Sequence, residues 1–96
     1  MPAYLVSTVC VSDPDRYMDY AKAANEAVAK YGGKFVLRGK PAEILEGTPS
    51  SNRLVVSEWP SLNAARAYYH SPEYAAAKTL RQGGVAEAEI MLFEGV

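Results

Sequence analysis

An α+β fold of order βαββαβ, one four-stranded antiparallel sheet with its helices on one face, is predicted by three observations in this 96-residue sequence. Strand-like stretches rich in Val, Leu, Ile, Tyr and Thr open and close the chain and recur between its helical parts. Two helical stretches begin on capping residues and are followed by Gly-Gly pairs. The run Arg53-Leu-Val-Val-Ser-Glu-Trp-Pro-Ser-Leu-Asn-Ala-Ala-Arg-Ala-Tyr-Tyr-His-Ser-Pro-Glu-Tyr74 passes from a strand into a capped helix that breaks at Ser71-Pro72 and restarts. Right-handed crossovers then place both helical segments against the same side of the sheet.

Residues 3–11 form the first strand, bounded by Asp13-Pro14-Asp15. Leu5, Val9 and Val11 alternate with Tyr4, Val6 and Cys10, so both faces are apolar, as in a strand covered on both sides. Asp13 can accept a bond from a free helical N–H, and Pro14 fits the first helical position, where its missing donor is harmless. Tyr17, Tyr20, Ala21, Ala24, Val28 and Tyr31 recur at a period near 3.6, and Gly32-Gly33 ends that helix. Residues 34–38 read as a second strand and residues 42–46 as its continuation past Pro41, which lacks a ladder donor and marks an edge or bulge. Gly47-Thr-Pro-Ser-Ser-Asn52 is a turn and residues 53–59 a third strand. Ser61 caps a helix carrying Leu62, Ala65 and Tyr69. Ser71-Pro72 opens another with Tyr74, Ala77, Lys78 and Arg81, stopped by Gly83-Gly84. In the last strand, residues 86–94, Ala88, Ile90 and Leu92 face one way and Glu87, Glu89, Met91 and Phe93 the other.

The length fits one domain spanning residues 1–96, and a chain of that size buries roughly 60 to 65% of the surface it exposes when unfolded. With 49% hydrophobic and 22% charged residues there is more apolar surface than a thin core hides. The sheet face opposite the helices alternates apolar residues with few charges, among them Arg38, Glu58 and Glu89. Two such faces packed together would close a barrel, so a homodimer is expected. Ten Lys and Arg against eleven Asp and Glu leave no basic stripe for a phosphate backbone, and nucleic acid is not expected as a partner. One cysteine fits a reducing compartment, and the amino-terminal stretch falls short of the roughly 20 apolar residues of a membrane helix. A cytoplasmic protein without membrane contact is the expectation.

Tyr-Gly-Gly-Lys-Phe-Val-Leu-Arg-Gly at 31–39, Arg-Leu-Val-Val-Ser-Glu-Trp-Pro-Ser at 53–61, Tyr-Tyr-His-Ser-Pro-Glu-Tyr at 68–74 and the closing Phe-Glu-Gly resemble the family named domain of unknown function 1330. The resemblance covers nearly the whole chain. It implies a ferredoxin-like fold of the dimeric α/β-barrel superfamily, whose members include cofactor-free quinol-type monooxygenases, muconolactone isomerases, haem-degrading enzymes and dye-decolourising peroxidases. It implies a fold and a dimer more directly than a reaction.

Several residues are candidates for chemistry, each with a plainer explanation beside it. His70 has the one side chain whose ordinary pKa lies near neutrality and precedes a helix start; a solvated junction residue would look the same. Arg38 and Glu58 lie on strands expected to neighbour each other and could pair inside the dimer barrel, with a functional or a purely register-fixing role. Tyr17, Tyr20, Tyr68, Tyr69 and Tyr74, with Trp59, could line a cleft for an aromatic substrate, Tyr17 and Tyr69 orienting its hydroxyl or carbonyl. Their helical spacing also suits an ordinary core. Cys10 reads as an inert buried hydrophobe, and Arg81 with Lys78 as complements to a helix dipole. The Gly pairs follow helices, the wrong end for an anion, and no metal-ligand spacing or dinucleotide turn is present. The reading is a dimer that binds or transforms a small apolar or aromatic metabolite with no metal and no cofactor. The alternative is a non-catalytic regulatory or stress-related dimerisation module.

Overall fold

The computed structural model describes residues 1–49 and 52–95. Its elements run β1 (Ala3–Val11), α1 (Pro14–Lys30), β2 (Lys34–Gly39), β3 (Arg53–Trp59), α2 (Leu62–Tyr69), α3 (Pro72–Thr79) and β4 (Ala86–Glu94). The strands form one antiparallel sheet in the order β2-β3-β1-β4, the expected ferredoxin-like arrangement.

The helix boundaries follow from local chemistry. The Asp13 carboxylate accepts from the Arg16 N–H at 3.2 Å, and Pro14 occupies the first turn. Tyr31 closes α1, and Gly32 follows at φ 86°, a left-handed conformation that a side chain would strain. Ser61 Oγ accepts from the Ala64 N–H at 3.1 Å to start α2. Ser71 serves two helices at once. Its hydroxyl donates to the Tyr68 carbonyl at 2.6 Å, closing α2, and accepts from the Tyr74 N–H at 3.0 Å, opening α3. Pro72 sits where no donor is needed, and the Glu73 carboxylate accepts from the Tyr31 hydroxyl at 2.8 Å and pairs with Lys30, tying α3 to the end of α1. The Ser-Pro-Glu-Tyr piece is therefore a corner in which every residue has a structural duty.

Strand registers assign the faces. Leu5 lies opposite Leu92 and Ser57, and Ala3 opposite Trp59, on the side covered by helices. There Ala3, Leu5, Ala27, Val28, Trp59, Ala65, Tyr68, Tyr74 and Ala77 form the buried core. Trp59, 1% exposed, donates from its indole N–H to Ser57 Oγ at 2.9 Å and packs 4.8 Å from the Tyr68 ring. The other side carries Tyr4, Val6, Leu54, Val56, Met91 and Phe93 by the same registers. No described helix covers it: Met91 is 51% exposed and Phe93 48%. The Cα atoms span 34 × 33 × 15 Å, the thickness of one helix layer on one sheet.

Three expectations are corrected. Residues 42–46 form no strand; the second strand ends at Gly39, before Pro41. The register of β2 shifts between Phe35 and Leu37, so one extra residue reverses the alternation beyond it. Lys34, not Arg38, lies opposite Glu58, while Arg38 lies opposite Val55 on the helix-covered side. Arg38 and Glu58 thus belong to opposite faces and do not pair. Cys10 is exposed, because it belongs to the uncovered face and lies near the end of β1.

Candidate functional site

The long helix α1 packs chiefly against α3 and approaches the strands less closely. Under it is a cavity of about 90 Å3, walled by α1, all four strands, α2 and α3. Apolar walls come from residues such as Leu5, Val9, Ala24, Val28 and Ile90, neutral polar groups from Ser7, Asn25 and Ser57, and the remainder is aromatic and cationic.

Tyr17 and Tyr20 enter from α1, Tyr68 and Tyr69 from the end of α2, and Tyr74 from α3. Tyr74 is the hub: its ring centroid lies 5.0 Å from Tyr68, 5.2 Å from Tyr69 and 6.4 Å from Tyr20, and its hydroxyl is 3.0 Å from that of Tyr20. Tyr17 extends the row, 5.5 Å from Tyr20. Offset and edge-on contacts at these separations stabilise the cluster beyond area burial. Burial pushes the phenols of Tyr20, Tyr68 and Tyr17 above their ordinary 10.0, the neighbouring Tyr74 adding to the rise in each and, for Tyr17, the Arg53 guanidinium opposing it. All three are neutral hydrogen-bonding phenols at physiological pH.

Three arginines line the same space. Arg38, exposed, stands at the mouth with its guanidinium 4.4 Å from the Phe35 ring and donates to Asn25 Oδ1 at 3.3 Å. Arg53 begins β3, its Cα opposite Val9, and its Nε is buried without a hydrogen-bond partner. Arg81 follows α3, is only 8% exposed, lies 5.6 Å from the Tyr20 ring and likewise has an unpartnered, buried Nε. No Asp or Glu lines the cavity. Among the described residues the one salt bridge joins Lys30 and Glu73 on the surface.

The sequence-based candidates separate accordingly. Tyr17, Tyr69 and Arg38 reach the cavity, with Tyr20, Tyr68 and Tyr74. Trp59 packs behind Tyr68 in the core and does not reach it. Glu58 lies on the opposite face of the sheet. His70 caps α2 at the surface, its ring edge 5.3 Å from Tyr69, beside a shallower depression of about 320 Å3 lined by Ala65, Arg66 and Leu92. Leu5, Tyr69 and Ile90 line both spaces. Arg53 and Arg81 were missed as site residues. For Arg53 the signal was present, since it alternates in phase with Val55, Ser57 and Trp59 and so points to the helix side. Arg81 looked like a solvated helix terminus, and only packing buries it. Among the described residues, no three His, Cys, Asp or Glu side chains converge at metal-binding spacing.

The ferredoxin-like fold of this chain is shared with structures from several bacteria. A protein of unknown function from Rhodopseudomonas palustris superposes with a TM-score of 0.75 at 21% identity, covering 99% of this chain and 82% of that one. SnoaB, a cofactor-independent oxygenase from Streptomyces nogalater, gives 0.72 at 17% identity over 99% of this chain and 93% of its own. A dimeric ferredoxin-like protein of unknown function from Jannaschia sp. gives 0.73 at 15% identity, over 99% and 100%. Among curated proteins no significant match is found. The chain belongs to the family described as domain of unknown function (DUF1330), which matches residues 2–96. No helix among the described residues is long and apolar enough to cross a membrane.

Proposed function

We propose that the chain is a homodimer that binds a small apolar or aromatic metabolite in the cavity under α1 and transforms it by monooxygenase- or isomerase-like chemistry, with no metal or organic cofactor. The carrying observation is the convergence of five tyrosines and three arginines on one enclosed, largely apolar space. A dimerisation module would fill that space with mutually satisfied core side chains; here two guanidinium nitrogens lack partners. Both reaction types begin by removing a proton from an electron-rich ring or lactone and holding the resulting anion. Fixed guanidiniums and phenol donors suit that second task. In an oxygenase of this kind dioxygen is the oxidant and the substrate supplies the electrons. The description of SnoaB as a cofactor-independent oxygenase supports that arm. The uncovered sheet face, with Met91, Phe93 and Leu37 about half exposed, supports the dimer, as do similar structures described as dimeric.

The test is oxygen uptake by metal-stripped protein supplied with a small hydroquinone. Uptake above the autoxidation rate, reduced in Tyr17→Phe and unchanged in His70→Ala, is expected. Background-rate uptake, together with no thermal shift by any member of a hydroquinone, lactone and phenol panel, would leave only the regulatory or stress-related module.

A further inference from the structure

We infer that the cavity under α1 receives its ligand as a carboxylate, with Arg53 and Arg81 as the receptor for the anionic group and the tyrosine cluster as the seat for an apolar or aromatic body. The inference rests on the proposal that this cavity is a small-molecule site and specifies the ligand class.

A guanidinium keeps its charge at any physiological pH, so a buried arginine cannot relieve its desolvation by losing a proton. Buried cations in folded proteins are accordingly paired or fully hydrogen-bonded. Arg81 is 8% exposed with an unpartnered Nε, and Arg53 has the same deficit on the same cavity. The described residues offer no negative charge in compensation. The cavity walls contain no carboxylate, and Glu73, the acid of the one described salt bridge, is occupied by Lys30 and Tyr31. The tyrosines do not supply it either, because burial keeps Tyr17 and Tyr20 protonated. What remains is a site with a surplus of positive charge, in which Arg81 bonds only to the neutral phenols of Tyr74 and Tyr20, Arg53 to that of Tyr17, and the Nε of each arginine is open. An anion from outside completes it.

The rest of the lining selects the kind of anion. Beyond Ser7, Ser57, Asn25 and the phenols, the walls at Leu5, Val9, Ala24 and Val28 favour an apolar body, and a carboxylate presents two oxygens in the plane a guanidinium fork matches while leaving its other end apolar. A space of about 90 Å3 lies below the roughly 300–1,000 Å3 of ordinary ligand pockets and so limits the body to one small ring or short chain. The exposed Arg38 at the mouth extends positive potential to the entrance and raises the rate of anion entry.

The experiment titrates the full-length protein with benzoate, its neutral isostere benzamide and inorganic phosphate, by calorimetry and thermal shift. Arg53→Met and Arg81→Met retain most of the side-chain length without the charge, and Arg81→Lys retains the charge without the fork. Benzoate is expected to bind at least 10-fold tighter than benzamide, and each Met variant to lose about 10- to 100-fold in benzoate affinity. Arg81→Lys should retain part of it. Without ligand, neither Met variant should melt far below the parent, since each removes a charge that has no carboxylate partner and gives up only bonds to phenols, those of Tyr74 and Tyr20 for Arg81 and that of Tyr17 for Arg53. A merely structural arginine would instead lower the ligand-free melting temperature and leave the benzoate-to-benzamide ratio unchanged. Equal binding of benzoate and benzamide, insensitive to either Met substitution, would overturn the carboxylate assignment while leaving an aromatic site standing. Binding of phosphate alone would overturn it in favour of a bare-anion site, and binding of none of the three would remove the small-molecule site as well.

Discussion

Gly33→Ala should destabilise this protein through a single aromatic contact. A Cβ built on Gly33 would lie 2.6–2.7 Å from three carbons of the six-membered ring of Trp59, far inside van der Waals contact. The indole has little freedom to withdraw: it is 1% exposed, its N–H is held by Ser57 Oγ at 2.9 Å, and Tyr68 packs 4.8 Å away. Overpacking of this kind costs about 1–3 kcal/mol. Removing a glycine from the unfolded chain returns about 0.4–1 kcal/mol, leaving a net loss centred on about 1.3 kcal/mol. For a domain of this size that lowers the melting temperature by about 5–10 °C. Trp59 is the one tryptophan in the sequence, so its fluorescence reports on the affected site directly while circular dichroism follows global unfolding. Repeating the substitution in a Trp59→Phe background supplies the control, because phenylalanine lacks the outer ring carbons that the methyl would meet. The added cost of Gly33→Ala should shrink to within about 0.5 kcal/mol of zero there, a coupling that a double-mutant cycle reads directly. A melting temperature unchanged in the single variant, or an equal cost in both backgrounds, would refute the reasoning. The contact matters for the site because Trp59 backs Tyr68, one of the rings that line the cavity.

Met91→Asp, on the uncovered sheet face, should convert a dimer to a monomer or lower its stability, because it places an unpaired charge among Val6, Val56 and Phe93; light scattering that returned a 10.4 kDa monomer for the parent at micromolar concentration would remove the dimer altogether. Arg38→Ala and Glu58→Ala should be additive within about 0.5 kcal/mol, since the two residues lie on opposite faces of the sheet; a larger coupling energy would show that they meet. Hydrogen bonds from Lys30 and then Tyr31 hold the Glu73 carboxyl down at about 2 from 4.5. A depressed acid contributes stability above its unfolded value and loses it as pH falls through the folded one, so urea midpoints should decline between about pH 4.5 and 2. Glu73→Gln should flatten that decline, and an identical pH profile would show that the corner does not couple to folding.

The elements themselves were legible because their signals are local. Period-2 alternation in residues 3–11 and 86–94, the Asp13, Ser61 and Ser71 caps, the two N-terminal prolines and Gly32 act over at most a few residues, and each gave its strand or helix end where the fold has it. The uncovered apolar face was legible for the same reason, as the odd half of those alternations. What failed was whatever depends on a non-local partner. The shift at Val36 arises from how β2 pairs with β3, and it carried Arg38 to the other face, dissolving the expected pair with Glu58. Residues 42–46 read as a strand in sequence but join no ladder among the described residues. The tyrosines were recognisable as a group, yet whether they enclosed a space or filled one depends on how far α1 stands from the sheet. The burial of Arg81 and the orphaned donors of Arg53 and Arg81 were decided only there, because desolvation is a property of what surrounds a side chain and not of the residue or its neighbours in sequence.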